Sequence, residues 1–291
     1  MTDRTRGDSE GSDRVKRMIE TYAARYDDPF WNALTELIET TPRNRIVDFG
    51  CGPGLFLIDA AWKYRAKWVY GFDSSPEMLG RANEFLSERL KDCKYEVEGL
   101  DVNVAPIPLP DKSIDLAFSG FFLHELSNPR DHVSQVYKVL SDAGVYAIYD
   151  FISGNEESFV ERMIATGWSE ERARDRYPSM CKHSLEDIES LLKSSGFQII
   201  KSNRIEDIRA IVVGAKQAGP GTERSNTSMR HRSPWAYDDS DIRCPRCTSH
   251  KIIRCHDRWA TSRGVQMFEC TTCGKRFVDR GYDDYLPTFI R

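Results

Sequence analysis

The sequence predicts an α/β fold: a doubly wound sheet of seven strands, followed by a small β domain built around a metal. Three observations predict it. An apolar run, Arg45 to Phe49, ends in glycines at alternate positions, Gly50, Gly52 and Gly54, and a helical pattern follows from Leu55 to Tyr64. Strand, glycine turn and helix make a nucleotide-type crevice, because glycine reaches backbone angles other residues avoid and lets a ligand approach closely. Further apolar runs alternate with helical patterns as far as Gly214, the pattern of an open sheet covered by helices. Finally, two C-x-x-C pairs stand near the C-terminus, Cys244 with Cys247 and Cys270 with Cys273.

Taken in order, residues 1–13 are polar and charged, with no apolar segment of a signal peptide, and are expected to form a disordered tail. The main domain is expected over residues 14–216. Asp13 to Tyr26 places Val15, Ile19, Tyr22 and Ala23 on one helical face, and Pro29 to Thr40 turns Phe30, Leu34, Leu37 and Ile38 inward. After the first strand comes Trp68 to Asp73, then a helix from Pro76 to Lys91 capped by Ser74 or Ser75. Lys94 to Glu98 alternates as a third strand, and a proline-stiffened loop leads to a fourth, Ile114 to Ser119. A helix, Arg130 to Leu140, precedes the fifth strand, Gly144 to Phe151.

Asn155 to His183 is polar and helix-rich, with Trp168, Tyr177 and Met180, and is placed to act as a lid. Ser184 with Asp187 three residues on is a capping-box variant, and Gly196 closes that helix. Phe197 to Lys201 and Arg209 to Gly214 complete the seven strands. Residues 217–240, rich in Gly, Ser, Thr and Pro, read as a flexible linker. Residues 241–291 form the second domain.

The 291 residues suit two unequal domains, and 40% hydrophobic with 30% charged residues suits a soluble globular protein. No apolar run reaches membrane-spanning length, so no membrane partner and a cytoplasmic location are expected. Charge is uneven: residues 1–216 carry 28 Lys+Arg against 36 Asp+Glu, whereas residues 241–291 carry 10 against 6. An acidic body argues against a wide polyanion groove on its surface.

The glycine turn departs from the dinucleotide fingerprint. Its spacing is G-x-G-x-G, and Asp48 precedes it. A carboxylate there repels a pyrophosphate and attracts an ammonium group. Asp73, at the tip of the second strand, suits ribose hydroxyls. An amine joined to an adenosine is the profile of S-adenosylmethionine (SAM). Val47-Asp48-Phe49-Gly50-Cys51-Gly52-Pro53-Gly54, followed by Gly71-Phe72-Asp73-Ser74-Ser75-Pro76-Glu77-Met78-Leu79, resembles the class I SAM-dependent methyltransferases, which implies a Rossmann-like sheet. The run Pro110-Asp111-Lys112-Ser113-Ile114-Asp115-Leu116-Ala117-Phe118-Ser119 looks like the small-molecule, quinone-biosynthesis type. The resemblance assigns cofactor binding to Asp48, Gly50, Gly52, Asp73 and Asp101, the last reaching the adenine amino group; Asp101 also reads as a solvated turn residue.

Methyl transfer from a sulfonium chiefly needs donor and acceptor held in line, with a base where the acceptor is protonated. His124, at the C-terminal edge of the fourth strand, is the candidate base, and a structural role is its alternative. No Asn/Asp-Pro-Pro-Tyr/Phe follows that strand and no Pro-Cys stands there, which lowers the case for methylating nucleic-acid bases. The acceptor, whether small molecule, protein or nucleic acid, is open.

Cys244, Cys247, Cys270 and Cys273 suit four thiolates around a structural Zn²⁺. Lys251 to Arg254 and Gln266 to Glu269 suit hairpin strands between them. This segment resembles zinc ribbons of transposase-like and transcription-related proteins. Arg246, Lys251, Arg254, Lys275 and Arg276 with Trp259 suit nucleic acid, and a protein-docking role is the alternative. The leading expectation is a SAM-dependent methyltransferase whose ribbon recognises a macromolecule. A SAM-sensing nucleic-acid-binding or regulatory protein without turnover is the second.

Overall fold

The computed structural model describes residues 4–216 and, toward the C-terminus, 252–255, 267–270, 272 and 276–278. The chain divides into two compact units, Met1–Gly219 and Pro220–Arg291.

In the first unit three helices, α1 (Arg4–Glu20), α2 (Tyr22–Arg25) and α3 (Asp28–Ile38), precede the sheet. Then come β1 (Arg45–Phe49), α4 (Leu55–Tyr64), β2 (Trp68–Asp73), α5 (Pro76–Arg89), β3 (Lys94–Gly99), β4 (Ile114–Gly120), α6 (Pro129–Val139) and β5 (Leu140–Phe151). The insert supplies α7 (Glu156–Ala165) and α8 (Glu170–Met180); α9 (Leu185–Ser194), β6 (Ile199–Glu206) and β7 (Arg209–Ala215) finish the unit. The seven strands lie in the order β3-β2-β1-β4-β5-β7-β6, and β7 alone runs antiparallel to its neighbours. The chain reverses its winding between β1 and β4, so their C-terminal tips flank the crevice where such sheets bind ligands.

The local chemistry explains the boundaries. Asp27 accepts the Phe30 N–H at 3.0 Å and Pro29 fills the first turn of α3. Ser75, not Ser74, caps α5 through the Met78 N–H at 3.3 Å. Ser184 and Asp187 exchange both bonds of a capping box at α9. Central strands are buried on both faces, with Val47, Ala117, Ile148 and Val212 at zero exposure. One face packs on α6 and α9 through Val133, Val136, Ile188 and Leu192. Around Phe118 the aromatic rings of Phe30, Phe56 and Tyr149 cluster, and Phe56 stacks on Phe118 at 3.7 Å between centroids. The insert has a small core of its own, in which Phe159, Val160, Met163 and Ala173 meet Phe151 and Ile208.

The N-terminus departs from expectation. Residues 1–13 were expected to be a disordered tail, yet α1 already begins at Arg4. The periodicity there is weak because Gly7 and Gly11 disfavour helix. Gly11 nevertheless lies close against α5, where a Cβ would come within 3.2 Å of the Glu77 side chain. The expected single helix to Tyr26 is broken at Thr21, whose hydroxyl bonds back to the Arg17 carbonyl at 2.8 Å and competes with the helix ladder.

In the second unit, β8 (Ile252–Cys255), β9 (Met267–Cys270) and β10 (Arg276–Val278) form an antiparallel sheet in the order β10-β9-β8. Both expected hairpin strands are present, shifted by one residue, with Ile252 opposite Cys270. Cys270 ends β9; Cys244, Cys247, Cys273 and the linker at 217–240 lie outside the described residues. Among the described residues no cluster suits a metal ion, and no helix is long and apolar enough to cross a membrane.

Candidate active site

The glycine turn is built for close approach. Gly50, Gly52 and Gly54 have φ of +74°, +52° and +76°, a region that costs other residues about 1 kcal/mol or more. The turn is tied to β2, since the Gly50 and Cys51 N–H groups both donate to the Phe72 carbonyl, at 2.8 and 3.0 Å. Gly50 and Gly52 differ in what covers them. A Cβ on Gly50 would meet the Phe122 ring at 2.5 Å, whereas at Gly52 the nearest atom is the Met18 methyl at 3.8 Å. A Cβ on Gly52 would sit in ordinary contact with Met18 and Met78, without overlap.

The three carboxylates expected at the strand tips take different environments. Asp48 lies in β1 between Gly71 of β2 and Phe118 of β4, only 3% exposed. Its Oδ1 is buried with no hydrogen-bond partner. Burial, and then the nearby Asp73 charge, push its carboxyl well above the usual range. Asp73 accepts the Gly52 N–H on Oδ2 and the Ser75 N–H on Oδ1, both at 2.9 Å, and so joins the glycine turn to the start of α5. Asp101 caps its own turn, with Oδ1 accepting the Asn103 N–H at 3.0 Å. Its backbone follows Leu100, whose N–H bonds the Asp73 carbonyl at 3.0 Å. Asp101 is thus next to the Asp73 tip and still exposed, which suits both of its expected roles.

His124 sits on a single 3-10 turn, Leu123–Glu125, beyond β4, and is 6% exposed. Its Nδ1 lies 2.6 Å from Asp150 Oδ1, its backbone N–H donates to Asp150 Oδ2 at 3.0 Å, and its Nε2 is 3.3 Å from Glu125 Oε1. Burial alone would lower this imidazole, but the Asp150 and Glu125 carboxylates outweigh it and raise it to about 9. At neutral pH the ring is an imidazolium with both nitrogens engaged. That state cannot accept a proton, so the contacts favour the structural role over the general base.

A cover of N-terminal residues closes the edge. Tyr26 packs onto Gly120, where a Cβ would overlap its hydroxyl, and its ring lies 6.4 Å from that of Phe121. Phe121 is a non-glycine residue at φ +53°, its N–H bonded to the Tyr149 carbonyl at 2.7 Å. Such strain collects at functional sites. The cover is clamped from below. Tyr149 donates to the Arg25 carbonyl at 2.8 Å, Arg162 of α7 donates to the Ala24 carbonyl at 2.9 Å, and the buried Arg209 reaches Tyr149, Asp27 and Glu206.

Sequence reasoning missed several of these groups. Asp150 interrupts the apolar run Val145 to Ile152, and Arg209 interrupts the apolar run Ile208 to Val213. A charge inside such a run was the available signal, since charges are seldom fully buried unless paired. A second missed group is the chain Ser119, Tyr146 and His132, linked at 2.8 and 3.3 Å. Burial lowers His132 to about 4, so it stays neutral.

Comparisons with known proteins agree with this geometry. Residues 47–148 match a methyltransferase domain family. The chain is 26% identical over 114 residues to malonyl-[acyl-carrier protein] O-methyltransferase of Serratia marcescens, covering 39% of this chain and 41% of that one. It is 28% identical over 143 residues to trans-aconitate 2-methyltransferase of Variovorax paradoxus, covering 48% and 51%. The chain thus spans about half or less of these curated relatives. Among solved structures, a SAM-dependent methyltransferase from Aquifex aeolicus superposes with a TM-score of 0.54 at 21% identity, covering 70% of this chain and 97% of that one. The [4+2]-cyclase SpnF superposes at 0.52 and 17% identity, covering 66% and 81%. The fold is that of SAM-dependent methyltransferases, and SpnF's name shows that this fold is not confined to methyl transfer.

Proposed function

We propose that this chain is a SAM-dependent methyltransferase. The observation that carries the reading is the buried, unpartnered Asp48 oxygen beneath the glycine turn. A buried carboxylate without a partner is costly, and the ammonium of an amino-acid moiety relieves that cost. Asp73 keeps acceptor capacity for a ribose diol, and Asp101 stands next to it for the adenine amino group. Gly52 leaves the backbone bare where the ligand passes, while Gly50 makes room for the Phe122 ring. When bound, SAM supplies an electrophilic methyl group on sulfur. The chain's part is to hold the amino-acid end at Asp48, to cover the site with Tyr26 and Met18, and to exclude water.

Calorimetric titration with S-adenosylhomocysteine tests this directly. Micromolar binding is expected, with at least a tenfold loss in Asp73→Ala. Equal affinity in that variant, or no binding by the native chain, overturns the reading.

The second unit is proposed as a zinc ribbon held by Cys244, Cys247, Cys270 and Cys273, serving to recognise a macromolecule. Its support is the paired spacing, the antiparallel β8–β9 pairing that ends at Cys270, and the excess of basic residues over 241–291. One zinc per chain by elemental analysis is expected, together with salt-dependent nucleic-acid binding that a chain ending at Lys216 lacks. Zinc without such binding would leave protein docking as the ribbon's role. Paired thiolates suit metal in a reducing compartment, and on that ground the cytoplasm is the proposed location.

A further inference from the structure

Arg25 is a cation at the mouth of the crevice with no acid to match it. Its guanidinium carbon lies 5.7 Å from the Tyr26 ring centroid and 5.9 Å from that of Phe121. Nη2 donates to the Met18 carbonyl at 2.8 Å, while Nε is buried and has no hydrogen-bond partner. Among the described residues, no carboxylate lies within ion-pair distance of it. The neighbouring arginines are different: Arg209 and Arg162 share Glu206, and Arg176 meets Glu125 at 3.7 Å. An N–H of a charged guanidinium, buried and unsatisfied, is expensive unless a ligand completes it.

The groups around it narrow the ligand further. A neutral alcohol or a protonated amine must lose a proton during methylation. Among the described residues the bases at this edge are engaged or enclosed: the imidazole nitrogens without a hydrogen-bond partner, His132 Nδ1 and His183 Nε2, are buried. His124 has both ring nitrogens engaged by Asp150 and Glu125, and the Tyr22 hydroxyl donates to Asp59 at 2.7 Å. The Tyr149 hydroxyl is spent on the Arg25 carbonyl. An acceptor that arrives already anionic needs none of these. The wall it meets is apolar, since Phe121 packs against Phe151 at 4.8 Å and against the small core under α7 and α8.

We infer that Arg25 anchors a carboxylate-bearing acceptor against the Phe121 ring, so that the reaction is O-methylation of a carboxylic acid. This rests on the methyltransferase reading above. One carboxylate oxygen forms the new C–O bond to the methyl carbon while the C–S bond breaks, its electron pair remaining on sulfur. The sulfonium charge and the carboxylate charge cancel, a methyl ester is formed, and no proton moves. An arginine fork suits the planar anion in a way a lysine point charge does not.

The test uses the full chain loaded with S-adenosylhomocysteine and two probes of one shape, phenylacetate and phenylacetamide. Loading itself is measured first, and failure to load overturns the parent reading. On the loaded protein, the acid is expected to bind at least tenfold more tightly than the amide. Arg25→Gln should abolish that difference, and Arg25→Lys should keep part of it. Both variants should retain native affinity for S-adenosylhomocysteine, which shows that they fold. Equal binding of acid and amide, binding of neither, or a preference that survives in Arg25→Gln overturns the anchor while leaving the methyltransferase reading intact.

Discussion

His124 and Asp150 are joined twice, ring nitrogen to one carboxylate oxygen at 2.6 Å and backbone N–H to the other at 3.0 Å. The pair fixes the 3-10 turn after β4 onto the end of β5. The groups facing the ring are Asp150 and Glu125, with Arg14 and Arg176 acting on Glu125 and with His183 nearby. The folded imidazole is raised to about 9, above its ordinary value near 6.5. Its stabilisation is therefore fully present below about pH 6.5 and is lost as pH rises through about 9. Thermal midpoints across pH 6 to 10 should fall through that window in the native protein, and His124→Gln should remove the fall. A midpoint that rises over the same window contradicts the charged pair.

Asp48 gives a prediction of opposite proton flow. Its carboxyl is raised by burial before any ligand binds, and a ligand ammonium lowers it again. Binding of S-adenosylhomocysteine should then release protons at a pH low enough to keep the free carboxyl protonated. Calorimetry in buffers of different ionisation enthalpy measures this, and Asp48→Asn should bind more weakly with no release. Identical apparent enthalpies in all buffers for the native chain count against Asp48 as the partner.

Gly50 and Gly52 should part company on substitution. Gly50→Ala drives a methyl into Phe122 and forces alanine to φ +74°, and a loss of several kcal/mol or failure to fold is expected, as for other overpacked sites. Gly52→Ala meets nothing closer than 3.8 Å, so only the cost of its backbone angle, about 1 kcal/mol, should appear. Its methyl would occupy ligand space, however. A folded Gly52→Ala with native affinity for S-adenosylhomocysteine would mean the ligand does not pass there.

The Tyr149 hydroxyl offers a milder test of the cover. Tyr149→Phe deletes both the donor to the Arg25 carbonyl and the acceptor of the buried Arg209 guanidinium, and should cost about 1–3 kcal/mol of stability. Amide exchange in residues 18–26 should quicken more than in the strands. Uniform quickening would show that the hydroxyl serves the core rather than the cover.

Much of this fold was legible in the sequence because its signals are local. Apolar runs ending in glycine or aspartate gave β1 and β2 to the residue, and capping chemistry at Ser75 and Ser184 gave two helix starts. Asp48, Asp73 and Asp101 were placed for the same reason, at strand tips whose order the motif fixes. What escaped notice was non-local. The start of α1 at Arg4 is not announced by periodicity, and the packing of Gly11 against Glu77 of α5 joins residues distant in sequence. At His124 the sequence left a base and a structural role side by side, because nothing near it in sequence announces Asp150, 26 positions on. Nothing in the sequence singled out Arg25, whose neighbours Tyr26 and Phe121 come from separate parts of the chain.

The clamp on the cover has a consequence for how the protein comes into being. Arg25 offers its carbonyl to Arg209, 184 positions later. The glycine turn, Asp48 and Asp73 all emerge early in synthesis, but the strand that secures the cover emerges last within this unit. A chain not yet extended through β7 has the clamps from Tyr149 and Arg162 but lacks the one from Arg209. The cover is thus fastened by the last strand of the unit as well as by β5 and α7, and a chain truncated just short of β7 would be made with its cover only partly latched.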